Sequence, residues 1–109
     1  MKPVWVEIKS DGTPIRIFRN KRAALASKQT VVQTVRTLAV ADIRHQLYDR
    51  SKGNCELCGT IVTENSGHMH ERQHRGRGGE ISLENSVFVC AKCHGRAHKE
   101  RNPQWARNS

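Results

Sequence analysis

Val4, Val6 and Ile8 alternate with polar or aromatic neighbours, and the alternation resumes at Ile15 and Ile17 after the run Ser10-Asp11-Gly12-Thr13. Period-two spacing on both sides of a turn-forming tetrad predicts a β-hairpin. Lys21 to Ser27 favours helix. From Thr30 to Val40 the chain turns β-branched, through Val31, Val32, Thr34, Val35, Thr37 and Val40. Such a run fits either a buried helix or a strand, and we read it as helix. Ala41 to Ser51 is a plainer helix: Val40, Ile43, Leu47 and Arg50 recur at three- to four-residue spacing, and Gly53 stands where a C-terminal stop is expected. That stop delivers Cys55 just beyond the helix. His45 lies off the apolar stripe and reads as a surface residue. At the other end, Arg101-Asn102-Pro103-Gln104-Trp105 reads as a frayed tail, with Pro103 ending any helix.

A chain of 109 residues has room for one domain. With 36% hydrophobic and 5% aromatic residues its core is small, and small cores usually need a metal or disulfide staple. The cysteines supply a candidate. They fall as two pairs, Cys55-Glu56-Leu57-Cys58 and Cys90-Ala91-Lys92-Cys93. A short CxxC loop turns two thiolates toward one point, and two such knuckles suit a tetrahedral zinc ion. The gap between the pairs exceeds the usual zinc-ribbon window, so an inserted element sits between them. Two disulfides, or redox-active CxxC pairs, are the competing readings. Met1 to Ser10 lacks the apolar run of a signal peptide. The expected setting is therefore cytoplasmic and reducing, which favours zinc.

Lys and Arg number 19 against 10 acidic residues, a formal charge of +9. A four-thiolate zinc site carries two negative charges of its own, which still leaves the chain strongly basic. A basic protein of this size is expected to meet a polyanion, where counterion release rewards binding. No stretch is apolar enough to span a bilayer and no long basic amphipathic helix is evident, so nucleic acid is expected rather than membrane. Arg16, Arg19, Lys21 and Arg22 follow or end the second hairpin strand. They read equally as phosphate contacts or as a charged edge that blocks aggregation.

Five of the six histidines lie between His68 and His98. A zinc site filled by four cysteines does not need them. His94 and His98 stand four apart in Cys93-His94-Gly95-Arg96-Ala97-His98, a spacing that places both imidazoles on one helix face and suits a divalent ion. A basic surface helix with incidental histidines, or one histidine replacing a cysteine on zinc, is the bland alternative.

Taken in order, Cys55/Cys58, His70-Glu71, Gly78-Gly79, Asn85 and Cys90/Cys93-His94 resemble the HNH endonucleases that carry a CxxC…CxxC zinc site. The segment Arg75-Gly76-Arg77-Gly78-Gly79-Glu80-Ile81-Ser82-Leu83-Glu84-Asn85-Ser86 looks like their phage-encoded branch. The resemblance covers roughly the last half of the chain. It implies an α+β fold whose ββα-metal (HNH, or His-Me finger) nuclease core is stapled by the four-cysteine zinc site. One strand would run through Met69-His70-Glu71 and a second through the hydrophobic run Val87-Phe88-Val89, with the helix after Cys93 packed across them. The organisation that follows is an N-terminal hairpin and helical extension over 1–40, a nuclease domain over 41–101 and a flexible tail over 102–109.

By the same resemblance, His70 and His94 hold a catalytic Mg²⁺, Mn²⁺ or Ni²⁺ ion, with His98 as a third ligand. Asn85 holds the loop and the base by hydrogen bonds. In one respect the chain departs from the family pattern, which has Asp or His as ligand followed by His as base; here His70 takes the ligand place and Glu71 the base place. A carboxylate with an unperturbed pKa of about 4 is a weaker base than imidazole. The register can also slip by one, making His70 the base and Glu71 a ligand to a hard ion, and His68 or His74 can also enter the site. Arg72, Arg75, Arg77 and Arg96 surround the site and are candidate phosphate contacts. The implied activity is hydrolysis of phosphodiester bonds in DNA, with phage packaging proteins such as a terminase as further partners. The alternatives are a zinc-ribbon-like module that binds nucleic acid without cutting it, and a packaging accessory protein with a degenerate nuclease fold.

Overall fold

A computed structural model describes residues 3–73 and 80–99, with the backbone alone for 97–99. The alternating N-terminal segment forms β1 (Pro3–Ile8) and β2 (Pro14–Ile17), an antiparallel hairpin. At its turn the Thr13 amide donates to Asp11 Oδ1 at 2.9 Å, and Gly12 supplies the φ of 88° that other residues resist. The predicted helix after it is α1 (Lys21–Ala26), opened by Asn20, whose side chain accepts from the Ala23 amide at 2.8 Å.

The helix read over Thr30–Val40 is corrected in its first half. Val31–Val35 is a strand, β3, paired antiparallel with β1 from Pro3↔Val35 to Glu7↔Val31. Helix α2 then begins at Arg36, five residues earlier than Ala41, and runs to Ser51. Tertiary pairing decides between the two states that β-branched residues allow: once β1 offers an open edge, a β-branched run gains a ladder there that a helix would forgo. The stop of α2 is close to the expected place, with Lys52 as left-handed cap (φ 56°) and Gly53 next to it (φ 75°).

Beyond the first knuckle come β4 (His68–Glu71), β5 (Ile81–Ser82), β6 (Ser86–Val89) and α3 (Ala91–Lys99). Two antiparallel sheets result. One has the order β3-β1-β2-β5, the other pairs β4 with β6. With three helices among the described residues, the fold is α+β.

The two-residue strand β5 pairs with β2 through Arg16↔Ser82 and Ile17↔Ile81, and the Leu83 amide donates to the Ile15 carbonyl at 3.1 Å. The first hairpin is therefore stitched to the segment that precedes Asn85. The boundary expected at residue 40 runs through α2. The core it would divide is continuous, joining Val6 and Ile17 from the hairpin to Ile43 and Leu47 of α2 and to Phe88 of β6. No described helix is long and apolar enough to cross a membrane.

Candidate metal centre

The first knuckle is placed by α2 and β6 together. The Glu56 amide donates to the Phe88 carbonyl at 2.9 Å, and Glu56 Oε1 accepts from the Phe88 amide at 2.8 Å. This exchange, made by a residue inside the CxxC loop, lays the loop along β6 like an added strand. The second knuckle spans the start of α3, where His94 N donates to Cys90 O at 2.9 Å. Helix α3 thus begins inside the knuckle rather than after Cys93.

All four sulfurs lie within 4.8 Å of one another, and the sulfurs of Cys58 and Cys90 are 3.7 Å apart. A tetrahedral ion with Zn–S bonds of about 2.3 Å sets neighbouring sulfurs ~3.8 Å apart. A disulfide needs about 2.05 Å, and the four thiols are free. The donor set fits one zinc ion. Amides of Leu57 and Cys58 donate to Cys55 Sγ, and that of Cys93 to Cys90 Sγ, each at 3.4 Å. Such bonds stabilise thiolate and fix its direction.

The cluster is electrostatically uneven. Cys58 is exposed, and the Thr60 hydroxyl beside it holds its thiol down at about 6. Burial, reinforced by the neighbouring sulfurs, pushes the Cys93 thiol up to about 12. Thiols this close cannot all ionise without a cation to share, so the arrangement gains most from a divalent one. Cys55 is buried and packs with Val87 and Val89, which gives the centre a hydrophobic wall.

Beside this cluster, histidines gather from β4 and α3. Register pairs in the second sheet are His68↔Val89, Met69↔Phe88, His70↔Val87 and Glu71↔Ser86. Strand pleating puts Met69 on the core face with Phe88, and His68 and His70 on the other face. His70 is 6% exposed. Its ring meets that of His94 edge-on at 5.5 Å between centroids, and His68 stacks on His94 at 4.6 Å with the planes 10° apart. His70 and His94, both singled out in the sequence, are thus brought together. His68, a further candidate in the sequence, joins them, as its two-residue spacing from His70 on a strand allows.

Asn85 works as a clamp. Its Oδ1 accepts from the Gln73 amide at 2.9 Å, and its Nδ2 donates to the Gln73 carbonyl at 3.0 Å and the Glu80 carbonyl at 2.8 Å. The Arg72 amide donates to the Asn85 carbonyl at 2.7 Å. One side chain therefore joins the end of β4 to the start of β5. Glu71 closes β4 on the pleat face of Met69, away from His70. Arg96 is exposed on α3, while Arg72 Nε is buried with no hydrogen-bond partner among the described residues. His74, Arg75, Arg77, Gly78, Gly79, the 102–109 tail and the side chain of His98 lie outside what is described. Among the described residues, the four thiols are the one group of three or more candidate metal ligands. No protein-family model matches the sequence, and neither a curated protein nor a solved structure matches it.

Proposed function

We propose that this chain is a metal-dependent endonuclease of the HNH type that hydrolyses phosphodiester bonds in DNA. Strands β4 and β6 with helix α3 would be its ββα core, and zinc on the four cysteines its staple. The observation that carries the reading is the meeting of buried His70 on β4 with His94 on α3, next to the thiol cluster but outside it. A zinc ion on four thiolates has no open coordination position, so these imidazoles serve something else.

In this reading His70 and His94, with His98, hold the divalent ion. When bound, Mg²⁺, Mn²⁺ or Ni²⁺ supplies Lewis-acid relief of the charge growing on the scissile phosphate. A proton must leave the attacking water, and both His70 and Glu71 can accept one. The pleat favours His70, because Glu71 belongs to the opposite face. Asn85 keeps β4 and the segment after it in register, and Arg72, Arg75, Arg77 and Arg96 bind flanking phosphates. Zinc, DNA and a packaging partner from a phage context belong to the same proposal.

A second reading, a zinc-stapled module that binds nucleic acid without cutting it, is favoured by one observation. The thiols alone form a multi-ligand metal group among the described residues. A plasmid-nicking assay with added Mg²⁺, Mn²⁺ or Ni²⁺ separates the two. The nuclease reading expects nicking by the wild type, loss on His94→Ala and His70→Ala with zinc retained, and survival on Glu71→Ala. Binding without nicking in every metal leaves the module.

A further inference from the structure

We propose that a cavity between the N-terminal sheet and the start of α2 is a phosphate site that grips the nucleic-acid backbone. It encloses about 320 Å³. Val4, Ile17, Phe18 and Ile81 form an apolar floor, and Arg19, Arg36 and Glu80 form the rim. The nucleic-acid reading above supplies the ligand's identity; the cavity and its charges stand without it.

The two arginines come from separate segments, Arg19 just after β2 and Arg36 at the first position of α2. Both are exposed. Three other arginines are engaged within the fold: Arg16 with Glu80, Arg44 with the Gly67 carbonyl and Arg50 with Glu56. The guanidinium groups of Arg19 and Arg36 have no hydrogen-bond or ion-pair partner among the described residues. Two like charges that converge on one cavity repel each other, and a bound anion relieves that repulsion. The apolar floor lowers the local dielectric and strengthens whatever pairing forms there. Arginine's fork matches phosphate oxygens in particular.

Glu80 looks at first like an obstacle to an anion. Both of its oxygens are already engaged. Oε1 accepts from Arg16 Nε at 2.8 Å and from Arg16 Nη2, while Oε2 accepts from the Arg19 amide at 2.7 Å. Arg16, which also lies 3.8 Å from Glu7, therefore offsets part of its charge, and Glu80 pins the backbone that presents Arg19. Glu80 also ties the cavity to the histidine cluster, since its carbonyl is held by Asn85, which in turn holds the residues following β4.

The test compares DNA binding by Arg19→Ala/Arg36→Ala with Arg22→Ala/Lys28→Ala, a pair that removes the same charge from exposed positions outside the cavity. All variants carry His94→Ala to prevent cutting, and zinc content and circular dichroism verify their fold. Anisotropy of a labelled duplex is followed against salt. The cavity pair is expected to weaken binding about tenfold and to flatten the salt slope by about one to two, with the outer pair shifting affinity less than about threefold. Arg19→Lys/Arg36→Lys should recover part of the loss. Equal weakening by both pairs, or none by the cavity pair, overturns the site. A parallel titration with AMP addresses the other source of phosphate: AMP shifts at the Arg19 and Arg36 Nε–H signals with unchanged DNA affinity would assign the cavity to free nucleotide and overturn the backbone role. Nicking by the Arg19→Ala/Arg36→Ala protein on an otherwise wild-type background, with undiminished DNA affinity, sinks this inference alone. DNA binding through the cavity by a protein that never nicks sinks the nuclease reading alone.

Discussion

Arg50 and Glu56 meet as a two-pronged pair, Nε to Oε2 at 3.0 Å and Nη2 to Oε1 at 2.6 Å. The same guanidinium donates to the carbonyls of Leu83 (2.7 Å) and Ser86 (2.8 Å), so one α2 side chain ties the first knuckle to both ends of the segment that enters β6. The pair is too exposed to add much stability by charge alone. Its effect is positional. Arg50→Ala or Glu56→Ala is expected to lower zinc affinity by about tenfold, as loss of outer supports does at metal sites. Arg50→Lys should not rescue it, because an ammonium cannot hold two carboxylate oxygens and two carbonyls together. Competition with a chromogenic chelator measures the change; unaltered zinc affinity would show that the knuckle holds its own shape.

Gly67 abuts the Phe88 ring. A methyl group there would lie 2.7 Å from Cε1 and closer still to Cζ. Phe88 is fully buried and packs edge-on against Tyr48, so it has no free direction in which to move. Gly67→Ala should destabilise the fold by about 3 kcal/mol, the upper range for overpacking. Adding Phe88→Leu should recover part of that loss by making room. Urea unfolding of the single and double variants gives both numbers.

His45 lies on the surface of α2, where the Glu64 carboxylate at 2.8 Å, followed by Asp49, raises its pKa above 6.5. Because the folded value is the raised one, its contribution to stability is full below the unfolded value of about 6.5 and disappears as pH rises through the folded pKa. The His45 contribution to the unfolding midpoint should therefore fall from weakly acidic to weakly alkaline pH, seen as the difference between wild type and His45→Ala. His45→Ala should remove that component of the slope. An NMR titration of the His45 ring at or below 6.5 would contradict the contact.

One zinc per chain is expected by native mass spectrometry, with four thiols shielded from a thiol reagent until a chelator is added. Removing the ion leaves the Cys55, Val87 and Val89 wall around four unshared thiols. Loss of near-ultraviolet dichroism on chelation, restored by zinc, is the expected outcome. Acid should act in the same direction, because protonated thiols release the metal. Full thiol reactivity before chelation would count against the centre.

Much of this arrangement was legible where side chains alternate or cluster. The first hairpin was visible in Val4, Val6, Ile8, Ile15 and Ile17, and the metal centre in two CxxC pairs. β3 was not, since Val31 to Val35 suit two backbone states and the choice is made by β1 across the sheet. Nor was β5, whose two residues carry no periodicity and become a strand only by pairing with Arg16 and Ile17. His68 was legible only as a further candidate, and strand pleating is what puts it on the face of His70. Arg50 shares the spacing of Val40, Ile43 and Leu47 and Glu56 lies inside the first knuckle, but only the return of β6 to that knuckle gives them their partners.

The pairing of β2 with β5 joins positions 16–17 to positions 81–82. During synthesis the N-terminal hairpin emerges from the ribosome long before the strand that completes its sheet. Until Ser82 clears the exit tunnel, one side of β2 has no neighbour and Ile17 no finished shelter. Native assembly therefore waits on a late event, as contacts between distant positions require.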